Sequence, residues 1–301
     1  MREASVLVEG GLTHTEDPRW RAGRLWFVDL YNCRVLSVAE DGSQLRTEAE
    51  VPGVPSGLGW LPDGRLLVVS MEGQKVLRQE RDGTLVPHAD LRPFVKDETD
   101  QLNDMVVAGD GTAYVGSYGF DLWGGGDIGT ARIVRVSPDG AVEVSGDPLY
   151  FPNGSTIVDG DTLVVAESFG NRISAFDIKP DGSLSERRDW AVFAPVPQAS
   201  RIEDAFPQIV VAADGISAAD AEGAIWVADF IRNRAVRVRP GGEIADEVTV
   251  AGDLNCYAVA LGGADGRTLF LCATPSDFDR EVRKNNPLST IQSIQVDVPL
   301  A

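Results

Sequence analysis

The stretch FPNGSTIVDGDTLVVAES, residues 151–168, holds two apolar runs, STIV and TLVVA, separated by Asp-Gly-Asp. Short Val- and Ile-rich runs around an Asp-Gly pair are the signature of a tight β-hairpin. The first run opens on a polar residue, Asn153, followed by glycine. That opening recurs along the chain. Glu16 begins EDPRW, Ser56 begins SGLGW, Asn103 begins NDMVV, Asp214 begins DGISA and Cys256 begins CYAVA, at successive intervals of 40, 47, 50, 61 and 42 residues.

The same order of events follows most of these openings. A turn (RAGR, LPDGR, AGDGT, VDGDT, DAEGA, GADGR) leads into a second apolar run: LWFVDL, LLVVSM, AYVGSY, LVVAES, IWVADF, LFLCAT. A third strand often comes next, as in CRVLSVAEDG, ARIVRVSPDG and RISAFDIKPDG. Six successive units, each a small antiparallel sheet, predict an all-β fold, a six-bladed β-propeller over residues 1–301 as one domain. A two-domain sandwich is the rival, but it gives no reason for six similar units. No window keeps a 3.6-residue periodicity, so helices should be nearly absent. The tails ASVLVEG and STIQSIQVDVP are both strand-like. They are expected to meet in one blade and close the ring, which removes an open edge.

In a propeller the first strand of each blade borders the central channel. Glu16, Ser56, Asn103, Asn153, Asp214 and Cys256 should therefore form an axial ring, with the small residues behind several of them letting backbones crowd. Carboxylates and amide carbonyls are hard donors suited to Ca²⁺, Mg²⁺ or Mn²⁺. Two carboxylates at one place also repel each other unless a cation sits between them. The plainer reading is that each polar group caps its own turn.

Bulk composition narrows the function classes. Of 301 residues, 43% are hydrophobic and none of the apolar runs approaches a membrane span. Acidic residues outnumber basic ones by 46 to 27, a net charge of −19, which disfavours nucleic acid and anionic membranes as partners. A small-molecule substrate is expected instead. The N-terminal MREASVLVEGG lacks the apolar core of a signal peptide, so a cytoplasmic location is expected. Three cysteines without CxxC spacing argue against a disulfide framework or structural zinc.

The sequence resembles the SMP-30/gluconolactonase/luciferin-regenerating-enzyme family over essentially its whole length. The resemblance rests on ExPRW at Glu16–Trp20, LND at Leu102–Asp104, FPNG at Phe151–Gly154, DGIS and DAEGAIWVAD at Asp214–Asp229, and the closing IQVDVP. It implies a six-bladed propeller with one axial divalent metal ion, Ca²⁺ first, with Mn²⁺, Zn²⁺, Mg²⁺ or Fe²⁺ as alternatives. The implied ligands are Glu16, Asn153 and Asp214. Asn103 would contact substrate or its water, and Asp214 would double as general base. Lactone hydrolysis is the implied activity. One position departs from the family: Gln101 stands where sugar-lactone hydrolases often carry Arg, exchanging a charged fork for a neutral amide. The same metal site could instead serve aryl ester or phosphotriester hydrolysis or a non-hydrolytic ring opening. A metal used only as a structural pin in a binding protein is the third reading.

Two stretches exceed what hairpins need. The loop SYGFDLWGGGDIGTAR, 117–132, brings Tyr118, Phe120 and Trp123, and with Gln101 it is a candidate substrate wall; residues 190–210 form a second insertion. The Gly124–Gly129 match to GxGxxG is followed by the strand-like ARIVRV, not by the helix a dinucleotide site requires. With only His14 and His88 and no GxSxG elbow, a serine triad is poorly supported, and His14 reads as a loop residue.

Overall fold

Runs of Val, Leu and Ile between glycine turns become strands, and the strands form six separate meanders. The computed structural model describes residues 2–276 and 279–301. Blade 1 runs from a first strand Thr15–Arg21 to a fourth strand Arg46–Glu50, and blade 2 from Pro55–Trp60 to Leu85–Asp90. Blade 3 runs from Leu102–Val107 to Val142–Leu149, blade 4 from Pro152–Val158 to Arg188–Val192, and blade 5 from Ala213–Ile216 to Ile244–Thr249. Blade 6 consists of Asn255–Gly262, Thr268–Thr274 and Thr290–Gln295, and its fourth strand is Ser5–Val8 from the other end of the chain. The expected meeting of the tails is thus an antiparallel pair, Ser5 opposite Ser293 and Val8 opposite Ile291. Arg2–Glu3 also covers the outer edge of blade 5 by parallel pairing with Val248–Thr249.

This is a six-bladed β-propeller, not a sandwich. The blades belong to two compact units: residues up to Pro55 with Asp214–Ala301 hold blades 1, 5 and 6, and Ser56–Ala213 holds blades 2, 3 and 4. Most first strands are buried almost throughout, as in Pro55–Trp60, whereas fourth strands such as Arg46–Glu50 expose their charges. The apolar cores lie between neighbouring blades. Leu25, Phe27 and Leu36 of blade 1 pack with Phe270, Cys272 and Ile291 of blade 6, where Trp20 stacks on Phe270 at 5.4 Å. In the other unit Tyr114, Ile133 and Leu149 of blade 3 meet Leu163, Val165 and Phe176 of blade 4. Helix is confined to short turns such as Ile202–Ala205 and Arg280–Asn285. No helix among the described residues is long and apolar enough to cross a membrane.

The small residues behind the recurring polar positions do let backbones approach. A Cβ on Gly57 would lie 2.3 Å from the Met105 nitrogen, and one on Gly215 would lie 2.4 Å from the Ala258 Cβ. Neither contact is with the yielding end of a side chain. Gly215→Val is expected to cost about 3 kcal/mol, at the upper end of overpacking penalties, read as a lower denaturation midpoint. An unchanged midpoint would mean the strands have room to separate.

Candidate active site

Four of the six recurring positions share a backbone feature that composition does not reveal. In blades 1, 3, 4 and 6 the first strand carries one more residue than its partner at the same place: between Glu16 and Arg19, Leu102 and Met105, Pro152 and Ser155, and Cys256 and Ala258. Such a β-bulge breaks the ladder and re-aims the side chains within it. Glu16, Asn103, Asn153 and Cys256 all sit at these breaks. In blade 1 the bulge holds Asp17 at a φ of 44°, with its buried carboxylate paired to Arg19 at 2.5 Å.

In the first unit, Glu16 and Asp214 act on the same neighbours. The Cys256 thiol is pushed well up by burial, then by the charges of Asp214 and Glu16. The Tyr257 phenol is pushed up by burial and by the same two carboxylates, partly offset by Arg283. Both groups therefore stay protonated, and Cys256 is no nucleophile. His14 lies, as expected, in the loop just before the first strand, and it is buried there, 3% exposed. Its Nε2 lies 3.4 Å from Glu16 Oε1, and its ring sits edge-on to Tyr257 at 4.8 Å and Tyr31 at 5.7 Å. Burial and the Arg283 guanidinium push it down to about 3, so it is a neutral imidazole. Arg283 and the Tyr257 hydroxyl both donate to the Pro275 carbonyl.

In the second unit, hydrogen bonding orients the Asn153 amide. Ser168 Oγ lies 2.8 Å from the carbonyl of Ala213, to which it can only donate. It must then accept from Asn153, and Asn153 Nδ2 does donate to it at 3.0 Å. The amide nitrogen is committed, which leaves Oδ1 as the outward donor atom. Asn103 is 8% exposed, and its buried Nδ2 has no hydrogen-bond partner among the described residues. Ser56 donates to Asp104 at 3.2 Å. Gln101 Oε1 faces the Trp123 indole nitrogen at 3.4 Å. Tyr118 is packed away, 6% exposed and stacked on Phe151 at 4.6 Å, whereas Trp123 is 51% exposed. Gly124–Gly129 forms part of the loop leading to the strand Ala131–Val136, and with no helix there the dinucleotide reading fails.

A family model for the SMP-30/gluconolactonase/LRE-like region matches residues 14–274. The chain belongs to that family. The match takes in all six first strands and leaves out the two tail strands that complete blade 6. Among solved structures, the chain is similar to a calcium-binding regucalcin from Agrobacterium tumefaciens, at 19% identity and a TM-score of 0.77 over 100% of this chain and 96% of that one. It is also similar to a luciferin-regenerating enzyme (18%, 0.74, over 97% and 94%) and to a Xanthomonas campestris gluconolactonase (21%, 0.68, over 96% and 87%).

This member of the SMP-30/gluconolactonase/LRE-like family also has a joint behind its bulges that the repeats had only half displayed. Asp29, Glu167 and Asp229 end the second strands of blades 1, 4 and 5, are 0% exposed, and each stands opposite an arginine that opens the third strand: Arg34, Arg172 and Arg234. Their ion pairs are 2.8, 2.6 and 3.0 Å long. Two of these acids also hold the segment that enters the first strand. Asp29 accepts from the Thr13 backbone at 2.9 Å and from its hydroxyl, three residues before Glu16. Glu167 accepts from the Tyr150 backbone at 2.8 Å, three residues before Asn153. Blade 3 reverses the roles. Its second strand ends in Ser117, and the buried Asp100, three residues before Asn103, accepts from the Gly119 backbone at 2.7 Å. The acid-x4-Arg spacing in DLYNCR, ESFGNR and DFIRNR was the available signal.

Proposed function

We propose that this chain is a divalent-metal-dependent hydrolase that opens small lactones. The observation that carries this reading is the convergence of two carboxylates, Glu16 and Asp214, on the same buried pair, Cys256 and Tyr257. A cation between two carboxylates relieves their mutual repulsion. Among the described residues no three His, Cys, Asp or Glu side chains stand together as a metal cage. The ion, Ca²⁺ first, would rest on Glu16, Asp214 and the uncommitted amide oxygen of Asn153. That all-oxygen set fits a hard cation that keeps several waters. When bound, such an ion polarises a lactone carbonyl and lowers the pKa of water.

The remaining roles fall to the chain itself. Asp214 takes the proton from the attacking water. Asn103, with its unpartnered amide hydrogens, orients the substrate carbonyl or the water. Gln101 and Trp123 contact the rest of the substrate. His14, neutral and enclosed, braces Glu16. The likeness to a gluconolactonase and to a calcium-binding regucalcin supports the activity and the ion.

Proton release in a weakly buffered assay tests the reading. Aldono-, aliphatic and aromatic lactones are offered to chelator-stripped protein and to protein with each divalent ion restored, with spontaneous opening subtracted. Metal-dependent ring opening is the expected result. Tight metal binding without acceleration of any lactone would move the site to another reaction.

A further inference from the structure

The two insertions of the second unit are joined. Ile128 N–H donates to the Ser200 carbonyl at 2.7 Å. Arg201 donates to the Gly125 carbonyl and lies 3.6 Å from Asp127. Each insertion is also anchored at its base. The loop after Ser117 is pinched where Gly119 meets Thr130, a contact that a Cβ on Gly119 would enter at 2.6 Å. Its Gly119 nitrogen is held by Asp100. The second insertion is held by the wholly buried Asn171, which donates to the carbonyls of Pro195 and Gln208 at 3.0 and 2.9 Å and accepts from Val210 N–H at 2.8 Å. An aromatic file of Tyr118, Phe151, Phe169 and Phe206 runs between the two bases.

A wall tied at both feet and across its top presents one aromatic ring substantially to solvent. Trp123 on that wall turns its N–H toward Gln101 Oε1, two residues ahead of Asn103. The pairing engages one lone pair of the Gln101 amide oxygen and sets a neutral amide beside a half-exposed indole. That surface offers a single neutral donor group to a ring of hydroxyls, each of which seeks its own hydrogen-bond partner. It suits a flat apolar group that can stack.

We infer that the two insertions form one preformed wall on which Trp123 and Gln101 select lactones bearing a flat apolar substituent over polyhydroxylated ones, with Arg201 as the positioning residue that holds Trp123 in place. The inference rests on the lactonase reading.

The test uses full-length, metal-restored protein and the ratio of kcat/KM for dihydrocoumarin to that for glucono-δ-lactone. The wild-type ratio should exceed one. Trp123→Ala should lower it about tenfold, the upper range of an aromatic pair. Gln101→Arg should lower it by improving the sugar lactone. Arg201→Ala should act in the same direction as Trp123→Ala through KM with kcat kept, and Arg201→Lys should restore part of the loss. A wild-type preference for gluconolactone, or a ratio indifferent to Trp123→Ala, overturns the wall and leaves the lactonase reading standing. If no lactone is opened, the lactonase reading fails, and calorimetric binding of dihydrocoumarin decides the wall separately. Binding about tenfold weaker in Trp123→Ala supports it, and equal binding overturns it.

Discussion

Glu16→Gln is expected to abolish metal-dependent lactone opening while the protein stays folded. The substitution keeps size and one acceptor oxygen but removes one of the two charges that converge on Cys256 and Tyr257. A cation held by few protein ligands loses much of its attraction when one carboxylate becomes an amide. The stabilisation that such an ion gives a developing oxyanion is worth several kcal/mol. Since each 1.4 kcal/mol is tenfold in rate, turnover should fall by about a thousandfold. Asp214→Asn separates binding from proton transfer. If Asp214 is the base, that variant should lose about 10²–10⁴-fold in kcat even at metal concentrations that saturate it. Calorimetric titration with Ca²⁺ beside the rate assay distinguishes the two. Unimpaired turnover in Glu16→Gln would remove Glu16 from the ligand set, and unimpaired kcat in metal-loaded Asp214→Asn would pass the base to another group.

Asp29→Ala should destabilise the protein about as strongly as Gly215→Val. Asp29 is wholly buried and joins three segments: it accepts from Thr13, from Asn32 at 2.8 Å and from Arg34 at 3.1 and 2.8 Å. Removing it leaves the Thr13 N–H without its acceptor and the Arg34 guanidinium with only the Gly11 carbonyl, at 2.9 Å. Breaking one side of a buried pair costs about 3–5 kcal/mol; the partial exposure of Arg34, at 28%, puts the expected loss near the lower figure. A denaturation midpoint close to wild type would show that water replaces the carboxylate freely. Asp29→Asn keeps acceptor capacity at one oxygen and should fold. Because Asp29 sets the segment that delivers Glu16, Asp29→Asn is still expected to weaken Ca²⁺ binding by about tenfold, as groups behind a metal ligand commonly do. A purely structural joint would leave the Ca²⁺ affinity untouched.

Much of the architecture was legible because it is repeated and local. The Ala22-Gly23 turn, with φ of 51° and 74°, and the Asp159-Gly160 turn, with φ of 54° and 83°, both stand where short-range turn chemistry predicts them. The polar opening of each unit was legible too, but its cause was not. A bulge is defined by a count against the neighbouring strand, so Asn153 shows its place in one only when Pro152 pairs with Glu167 and Ser155 with Val165. Tyr118 and Trp123 looked alike as candidates for a substrate wall. Packing separates them, since the ring of Phe151, distant in sequence, stacks on Tyr118.

By itself the sequence determined the number of blades, the order of strands within each and the residues that open them. Turn propensity and two-residue alternation act over a few positions and recur at every repeat. Only the tertiary structure decided which buried acid holds which strand entrance, which way the Asn153 amide faces, and that the insertions at 117–132 and 190–210 meet through Ile128, Ser200 and Arg201. Those outcomes depend on partners tens of residues away, and no local preference encodes the distance between two loops.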